Sequence, residues 1–220
     1  IATLNPDALP RPRWLEELRR ATERHPGVGM FGSTQINACH PDRVDGFGDV
    51  YSIFGTAWRG ASGHPLTSLP RGDREVFTPC AAAALYSRGL FATEGGFDEA
   101  LFCYMEDVDL GFRLQLRGER CLQVREAEVL HVGALTTGDT SDFFLFHSQR
   151  NRLWVLAKCV PTPLLWLVLL LQVLVVPISL ARRGRGSGAA LGGISAAIKG
   201  LPAIWRKRRT VQASRLVTTA

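Results

Sequence analysis

The sequence has few cysteines and none of the spacings that bind zinc or staple a small secreted domain. Five cysteines are scattered along 220 residues, and no two form a C-x-x-C pair. This odd, dispersed set argues against a disulfide framework and against a structural zinc site. We therefore expect a reduced protein that depends on its own hydrophobic core, which a chain of this length can form.

Acidic residues are missing from the last part of the chain. Residues 182–220 carry nine Lys/Arg and no Asp/Glu, which leaves 17 basic against 20 acidic residues in 1–181. A nucleic-acid-binding surface needs positive charge on the folded body, interleaved with aromatic side chains. Here the net charge of +6 arises from a segment that follows an apolar stretch. The pattern excludes nucleic acid as a partner and favours anionic lipid head groups.

Charge of either sign is missing from residues 164–180. As a helix these residues extend about 25 Å, slightly less than the ~30 Å hydrocarbon core of a bilayer. We predict a hydrophobic membrane helix within 160–181 that spans a thin bilayer or, preferably, lies in one leaflet with a kink at Pro177. A buried core helix is the alternative. Residues 182–220 predict a basic amphipathic tail on an acidic membrane surface.

Strand and helix patterns alternate through residues 1–159, which indicates an α/β layered domain. Helices are predicted over 12–25, 88–93 and 142–159, and strands over 28–33, 74–78, 121–125 and 127–131. Residues 34–74 are rich in Gly, Pro and Asp, with one strand predicted at 49–54. We expect this insertion and the Gly/Thr-rich loop at 133–141 to be functional, because long loops usually are.

The most informative segment, GGFDEALFCYMEDVDL, predicts a helix that begins with a cluster of carboxylates. Its apolar residues repeat every fourth position, at Val108, Phe112 and Leu116. Glu106, Asp107 and Asp109 then fall in the first turn, where the helix dipole favours ionised carboxylates, and Asp109 can pair with Arg113 along the exposed side. A carboxylate held there is suited to accept a proton from a hydroxyl. An ordinary acidic helix start is the alternative.

Four ordered segments resemble family 2 glycosyltransferases, and most closely their bacterial rhamnosyltransferase-like branch. They are LNPDA at 4–8, FTPCAA at 77–82, GGFDEALFCYMEDVDLGFRLQLRGERC at 95–121, and HVG at 131–133 followed by QRNRLW at 149–154. The resemblance implies the C-terminal portion of an inverting GT-A domain, which is Rossmann-like, over 1–159, followed by the membrane-associated helical tail.

The resemblance also implies a metal site. Asp7 closes a D-x-D-like element, here Asn-Pro-Asp, that would bind Mg²⁺ or Mn²⁺ on the donor diphosphate. His131 would complete the coordination of that cation. The alternatives are an ordinary Asn-Pro-Asp turn and a histidine packed at a strand end.

The same resemblance assigns Asp107 as the general base, with Glu106 and Asp109 in supporting roles. Arg150 and Arg152 are expected to contact the diphosphate, or else to form a solvated helix face. The acceptor pocket is expected to be lined by small residues and one carboxylate: Cys80, Ala81, Ala82, Gly95, Gly96 and Asp109. Tight packing is the alternative for the small residues. Leu153 interrupts the Gln-x-x-Arg-Trp pattern of processive synthases, which argues against processive synthesis.

The expected function is the transfer of one sugar, with inversion, from a nucleotide-sugar donor to a lipid-linked or cell-envelope glycan. It would take place on the cytoplasmic face of the cell membrane, where the donor is made. The chain begins with Ile1, and we expect the nucleotide-binding half typical of the family to be missing upstream. Two alternatives remain: a non-catalytic membrane-bound binding remnant, and a metal-dependent hydrolase that uses Asp7, Asp107 and His131.

Overall fold

The computed structural model describes residues 1–133, 141–162, 164–183 and 187–218, and it shows a mixed α/β fold. Seven strands form the main sheet: β1 (Ala2–Leu4), β2 (Ala8–Pro10), β3 (Met30–Asn37), β4 (Val44–Gly46), β7 (Arg74–Val76), β8 (Ala83–Tyr86) and β9 (Cys121–His131). A separate hairpin pairs β5 (Asp49–Tyr51) with β6 (Ala57–Arg59). The helices are α1 (Trp14–Arg24), α2 (Arg88–Thr93), α3 (Glu106–Leu116), α4 (Asp142–Cys159), α5 (Leu164–Arg183) and α6 (Ser187–Ala213).

The predicted α/β class is confirmed. Most of the predicted loop at 133–141 lies outside the described residues.

The sheet runs in the order β1-β8-β3-β9-β2, with β4 paired to β3 and β7 paired to β9. Only β3 and β9 are parallel, and every other pair is antiparallel. The two strands predicted at 121–125 and 127–131 form one strand whose register shifts opposite Ser33 and Thr34. Thr34 Oγ1 donates at this shift to the carbonyls of Val124 (3.2 Å) and Arg125 (2.9 Å). The predicted break therefore corresponds to a bulge in one strand.

A buried ion-pair network joins α3 to α4. Asp109 is fully buried, and its carboxylate lies 2.9 Å from Arg113 Nε and 2.7 Å from Lys158 Nζ. Lys158 also lies 2.6 Å from Asp98. The predicted Asp109–Arg113 pair is present, but it is inside the protein and not on an exposed side. Because its carboxylate is enclosed by these cations, the structure argues against Asp109 as an acceptor contact.

The last helix packs along α4. Gly193 is approached so closely by the Phe146 carbonyl that an added Cβ would lie 2.3 Å from that oxygen. Trp154 Nε1 donates to the Ala197 carbonyl at 3.0 Å, and the buried Arg208 donates to the carbonyls of Ala157 (2.9 Å) and Val160 (2.6 Å). Part of the basic segment predicted as a membrane-surface tail therefore satisfies carbonyl groups inside the folded body.

No helix in the described ranges combines the length and apolar character required to cross a bilayer. The predicted membrane-spanning helix within 160–181 is therefore not supported.

Replacing Lys158 by methionine should destabilise the fold strongly. The change leaves the buried carboxylate of Asp109 and the partly buried carboxylate of Asp98 without this cation, and removing one partner of a buried ion pair typically costs about 3–5 kcal/mol. Urea unfolding followed by circular dichroism measures the loss. The matched control is Arg19→Met, which removes an exposed pair with Glu23 and should cost less than about 1 kcal/mol. Similar losses in both variants would contradict this account of the network.

Candidate active site

Strand pairing brings the two predicted metal ligands together. Ala8 at the start of β2 pairs with His131 at the end of β9, and the Asp7 carbonyl accepts a hydrogen bond from Val132 N at 3.0 Å. This register leaves Asp7 Oδ1 3.6 Å from His131 Nε2. Two side chains that are 124 positions apart in the sequence therefore face each other at one end of the sheet.

Asp45 on β4 orients the histidine. Its Oδ2 lies 2.8 Å from His131 Nδ1 and also contacts the Arg59 guanidinium. Burial alone would raise the pKa of Asp45, but the hydrogen bond with His131 and the charge of Arg59 outweigh burial and hold that pKa below its ordinary value. Sequence reasoning missed Asp45 and Arg59, because nothing in their spacing within the loop-rich stretch links them to His131.

The chemistry of this group fits a divalent cation. Metal-binding histidines commonly hold one ring nitrogen on a carboxylate, which fixes the tautomer and leaves the other nitrogen for the metal. Here Asp45 occupies Nδ1, and Nε2 faces the Asp7 carboxylate. A carboxylate oxygen and an imidazole nitrogen suit Mn²⁺, and the oxygen suits Mg²⁺. Asp7 and His131 are thus the residues that could hold the cation.

The start of α3 fixes the orientation of Asp107. Met105, the residue before the helix, has a left-handed backbone (φ +70°). Asp107 Oδ2 accepts a hydrogen bond from Ala81 N at 3.0 Å, and Oδ1 accepts one from Val108 N at 2.8 Å. Ala81, predicted as an acceptor contact, therefore also holds the predicted base.

Asp107 belongs to a group of three potential ligands, of which Asp49 is buried and the other two are partly buried. Side-chain atoms of Asp49, Cys80 and Asp107 lie within 4.8 Å of one another. Burial, with the charge of Asp107, raises the pKa of Asp49 well above its ordinary value. Burial and both neighbouring carboxyl groups also raise the pKa of the Cys80 thiol. Asp49 and Cys80 thus form the close surroundings of the Asp107 carboxylate.

Of the carboxylates in the first turn of α3, Glu106 lines a cleft. The cleft has a volume of about 510 Å³ and is lined by Thr3, Leu4, Asn5, Ala81, Phe97, Asp98, Glu99, Phe102 and Glu106. Glu106 Oε2 is buried without a hydrogen-bond partner among the described residues. Burial and the adjacent Asp107 raise the pKa of Glu106 to about 7. A carboxylate with such a pKa is suited to proton transfer near neutrality, although sequence reasoning gave Glu106 only a supporting role.

Two of the other small residues predicted for the acceptor pocket, Ala82 and Gly96, are packed against the protein. Ala82 is buried. Gly95 and Gly96 both adopt positive φ, and a Cβ on Gly96 would lie 2.8 Å from the Phe91 ring. The Gly96 carbonyl accepts a hydrogen bond from Arg113 at 2.7 Å. These contacts favour the tight-packing alternative for Gly96, whereas a Cβ on Gly95 would meet nothing within 4 Å.

The two arginines predicted to bind diphosphate are engaged by the protein itself. Arg152 is buried and donates to Gln172 Oε1 at 2.6 Å. Arg150 donates to the Leu101 carbonyl at 2.8 Å and stacks on Trp154 at 4.6 Å. These contacts argue against the diphosphate role, because both guanidinium groups already bind protein oxygens. Sequence reasoning overlooked Asn151 between them, which contacts three carbonyl groups before α3.

Replacing Glu106 by glutamine should stabilise the protein at high pH. Because the folded-state pKa is raised from 4.5 to about 7, protonated Glu106 favours the folded state below pH 4.5, and that contribution is lost as the pH rises through 7. The variant should match the wild type at pH 4 and exceed its unfolding free energy by up to about 3 kcal/mol at pH 8. Urea unfolding at both pH values tests this, with the exposed Glu99→Gln as control. An equal difference at both pH values would contradict the burial of an ionisable Glu106.

Comparison with known proteins gives the chain glycosyltransferase relatives. No protein-family model matches it. It is 33% identical to the N-acetylglucosaminyl-diphospho-decaprenol L-rhamnosyltransferase of two Mycobacterium tuberculosis strains. The 153 aligned residues cover 63% of this chain and 48% of that protein. It is 30% identical over 132 residues to the O-antigen biosynthesis protein RfbC of Myxococcus xanthus, which covers 54% of this chain and 10% of that protein. The chain thus spans about half the length of the first relative. The Mycobacterium relatives are thus rhamnosyltransferases by name, and the Myxococcus relative is an O-antigen biosynthesis protein by name.

Proposed function

We propose that the chain forms the acceptor side of a glycosyltransferase that transfers one sugar, with inversion, from a nucleotide-sugar donor to a lipid-linked glycan. The observation that carries the proposal is the 3.6 Å approach of Asp7 to His131, since a cation held there would meet the donor diphosphate. The glycosyltransferase relatives support the reaction class. The GT-A domain of family 2, with its inverting chemistry, rests on the sequence resemblance.

Asp7 and His131 would hold Mg²⁺ or Mn²⁺, with Asp45 fixing the histidine ring. When bound, such a cation supplies positive charge that stabilises the leaving nucleoside diphosphate. The protein's own contribution is to present an oxygen and a nitrogen at the end of paired strands, where the backbone hydrogen bonds of β2 and β9 limit their movement.

The acceptor hydroxyl would lose its proton to the carboxylates at the start of α3. We assign Asp107 as the base, because two backbone N–H groups fix its orientation. Glu106 is the competing candidate, since it lines the cleft and has a pKa of about 7. Inversion needs a single displacement and no enzyme nucleophile.

The name of the Mycobacterium relatives specifies N-acetylglucosaminyl-diphospho-decaprenol and an L-rhamnosyl group. We extend to this chain the corresponding classes only: a nucleotide-linked deoxyhexose as donor and a prenyl-diphosphate-linked sugar as acceptor. A lipid-linked acceptor agrees with the apolar surface of α5.

We also propose that α5 lies on the cytoplasmic leaflet of the cell membrane without crossing it. One face of the helix buries Leu165, Val168 and Gln172. The opposite face leaves apolar side chains exposed: Trp166, Leu167, Leu170, Val173, Leu174 and Ile178. On α6 a shallow depression is lined by Leu201, Pro202, Trp205, Arg206 and Arg209. Exposed apolar residues together with basic ones are typical of interfacial helices on anionic membranes.

Sugar transfer measured on membranes, with Mn²⁺ and a panel of nucleotide sugars, tests the proposed reaction. Asp107→Asn should lower the rate by about 100-fold or more, since one acid–base group contributes about 10²–10⁴. Asp7→Asn should also lower the rate, because it removes the carboxylate ligand of the proposed cation. The control is Asp42→Asn, an exposed carboxylate that does not line the cleft. Full activity of Asp107→Asn with loss in Glu106→Gln would transfer the base role to Glu106. A chain that binds glycan but transfers no sugar under any condition would favour the binding remnant.

Vesicle flotation tests the membrane proposal. The protein should bind vesicles that contain anionic lipid. Binding should fall by about 100-fold or more in Trp166→Ser/Leu170→Ser, which removes roughly 3–5 kcal/mol of apolar burial in the leaflet. The matched control is Ile53→Ser, because Ile53 is an equally exposed apolar side chain on the loop between β5 and β6. Undiminished binding of the double variant would contradict a docking role for α5.

A further inference from the structure

Three of the four residues before α3 have a strained backbone conformation. Phe102, Tyr104 and Met105 all have positive φ, at +66°, +65° and +70°. Residues other than glycine rarely adopt this backbone conformation, and those that do are concentrated at functional sites. The fold therefore maintains an unfavourable backbone immediately before Glu106 and Asp107.

The segment is held in place by α4. Asn151 is fully buried, and its Nδ2 lies 2.8–2.9 Å from the carbonyl oxygens of Leu101, Cys103 and Tyr104. An amide group has two hydrogens, so one of them is shared between two carbonyls. Arg150 adds a hydrogen bond to the Leu101 carbonyl at 2.8 Å. The conformation is thus over-determined by contacts with a long helix.

The strained backbone exposes an aromatic ring at the cleft. Phe102 is 73% exposed, although burial of a phenylalanine side chain would stabilise the fold. Its ring meets Phe143 at 6.5 Å and His147 at 5.7 Å between centroids. These neighbours support the ring at the rim of the cleft, which Phe102 itself lines.

The chemistry of the cleft selects against anionic ligands. Three carboxylates line it, Asp98, Glu99 and Glu106, and no Lys or Arg of the described residues is among the lining side chains. Asp98 is paired with Lys158 and Lys207, which leaves Glu99 and Glu106 as acceptors for a ligand. A phosphate would be repelled here, whereas a neutral ring with several hydroxyls could donate to both. The aromatic ring supplies the apolar surface that the C–H face of such a ring requires.

We propose that Phe102 is the stacking platform for the terminal pyranose ring of the acceptor, with Glu106 and Glu99 accepting hydrogen bonds from its hydroxyls and Asn151 positioning the segment. The inference deepens the proposed function and rests on it, because it gives the cleft beside the predicted base to the acceptor and excludes the donor diphosphate from it. The volume of about 510 Å³ lies within the usual range for a small-ligand pocket.

The test is the binding of octyl N-acetyl-β-glucosaminide to the protein, measured by saturation-transfer NMR and titration calorimetry. Phe102→Ala should weaken binding by about two- to tenfold, and Phe102→Trp should retain it, because aromatic contacts contribute about 0.5–1.5 kcal/mol. The control is Phe54→Ala, which removes another exposed aromatic ring that does not line the cleft. Circular dichroism of each variant verifies that the fold is retained.

Equal affinity of Phe102→Ala and wild type, or no binding by the wild type, would overturn the inference. Sugar transfer measured on membranes separates this outcome from failure of the proposed function. If transfer depends on Asp7 while Phe102→Ala binds the glycoside normally, the transferase proposal stands and the platform is wrong. If Phe102 controls glycoside binding and no donor is ever cleaved or transferred, the platform stands and the transferase proposal fails.

Discussion

The buried carboxylate of Asp109 is the constraint on which the candidate site depends. An ionised group without water requires cations and hydrogen bonds that are close and fixed, and Arg113 and Lys158 meet this requirement from α3 and α4. Lys158 also pairs with Asp98, and Arg113 also donates a hydrogen bond to the Gly96 carbonyl. The Asp109 carboxylate therefore links three parts of the structure. They are the turn that precedes the cleft, the helix that carries Glu106 and Asp107, and the supporting helix α4.

The sequence predicted those features of the fold that depend on local pattern. The helix predicted over 142–159 is α4 (Asp142–Cys159), and the carboxylate-rich start of α3 lies where the apolar spacing put it. The strands β1 and β2 were not predicted, because three residues are too few to show alternation. They matter nonetheless, since the pairing of β2 with β9 brings Asp7 to His131.

The site residues that could not be predicted from the sequence have partners that are remote in sequence. Asp45 contacts a histidine on another strand, and Asn151 contacts carbonyl groups about 50 positions earlier. Arg150 and Arg152 show the converse error. Their charge suggested a phosphate ligand, but the tertiary structure supplies carbonyl and amide oxygens instead. Likewise, the charge count of the last segment could not reveal that Lys207 pairs with Asp98 and that Arg208 caps the end of α4. Composition gives the amount of charge, whereas only the fold gives its partners.

The central claim is that Asp7, His131 and the start of α3 form one site around a divalent cation. Paramagnetic broadening of backbone amide NMR signals by Mn²⁺ tests it most directly, because the effect falls steeply with distance from the ion. The account predicts that substoichiometric Mn²⁺ broadens the signals of Asp7, Val132 and Ala81 first, and that Asp7→Asn abolishes this selectivity. Broadening centred on another carboxylate cluster, or unchanged in Asp7→Asn, would contradict it.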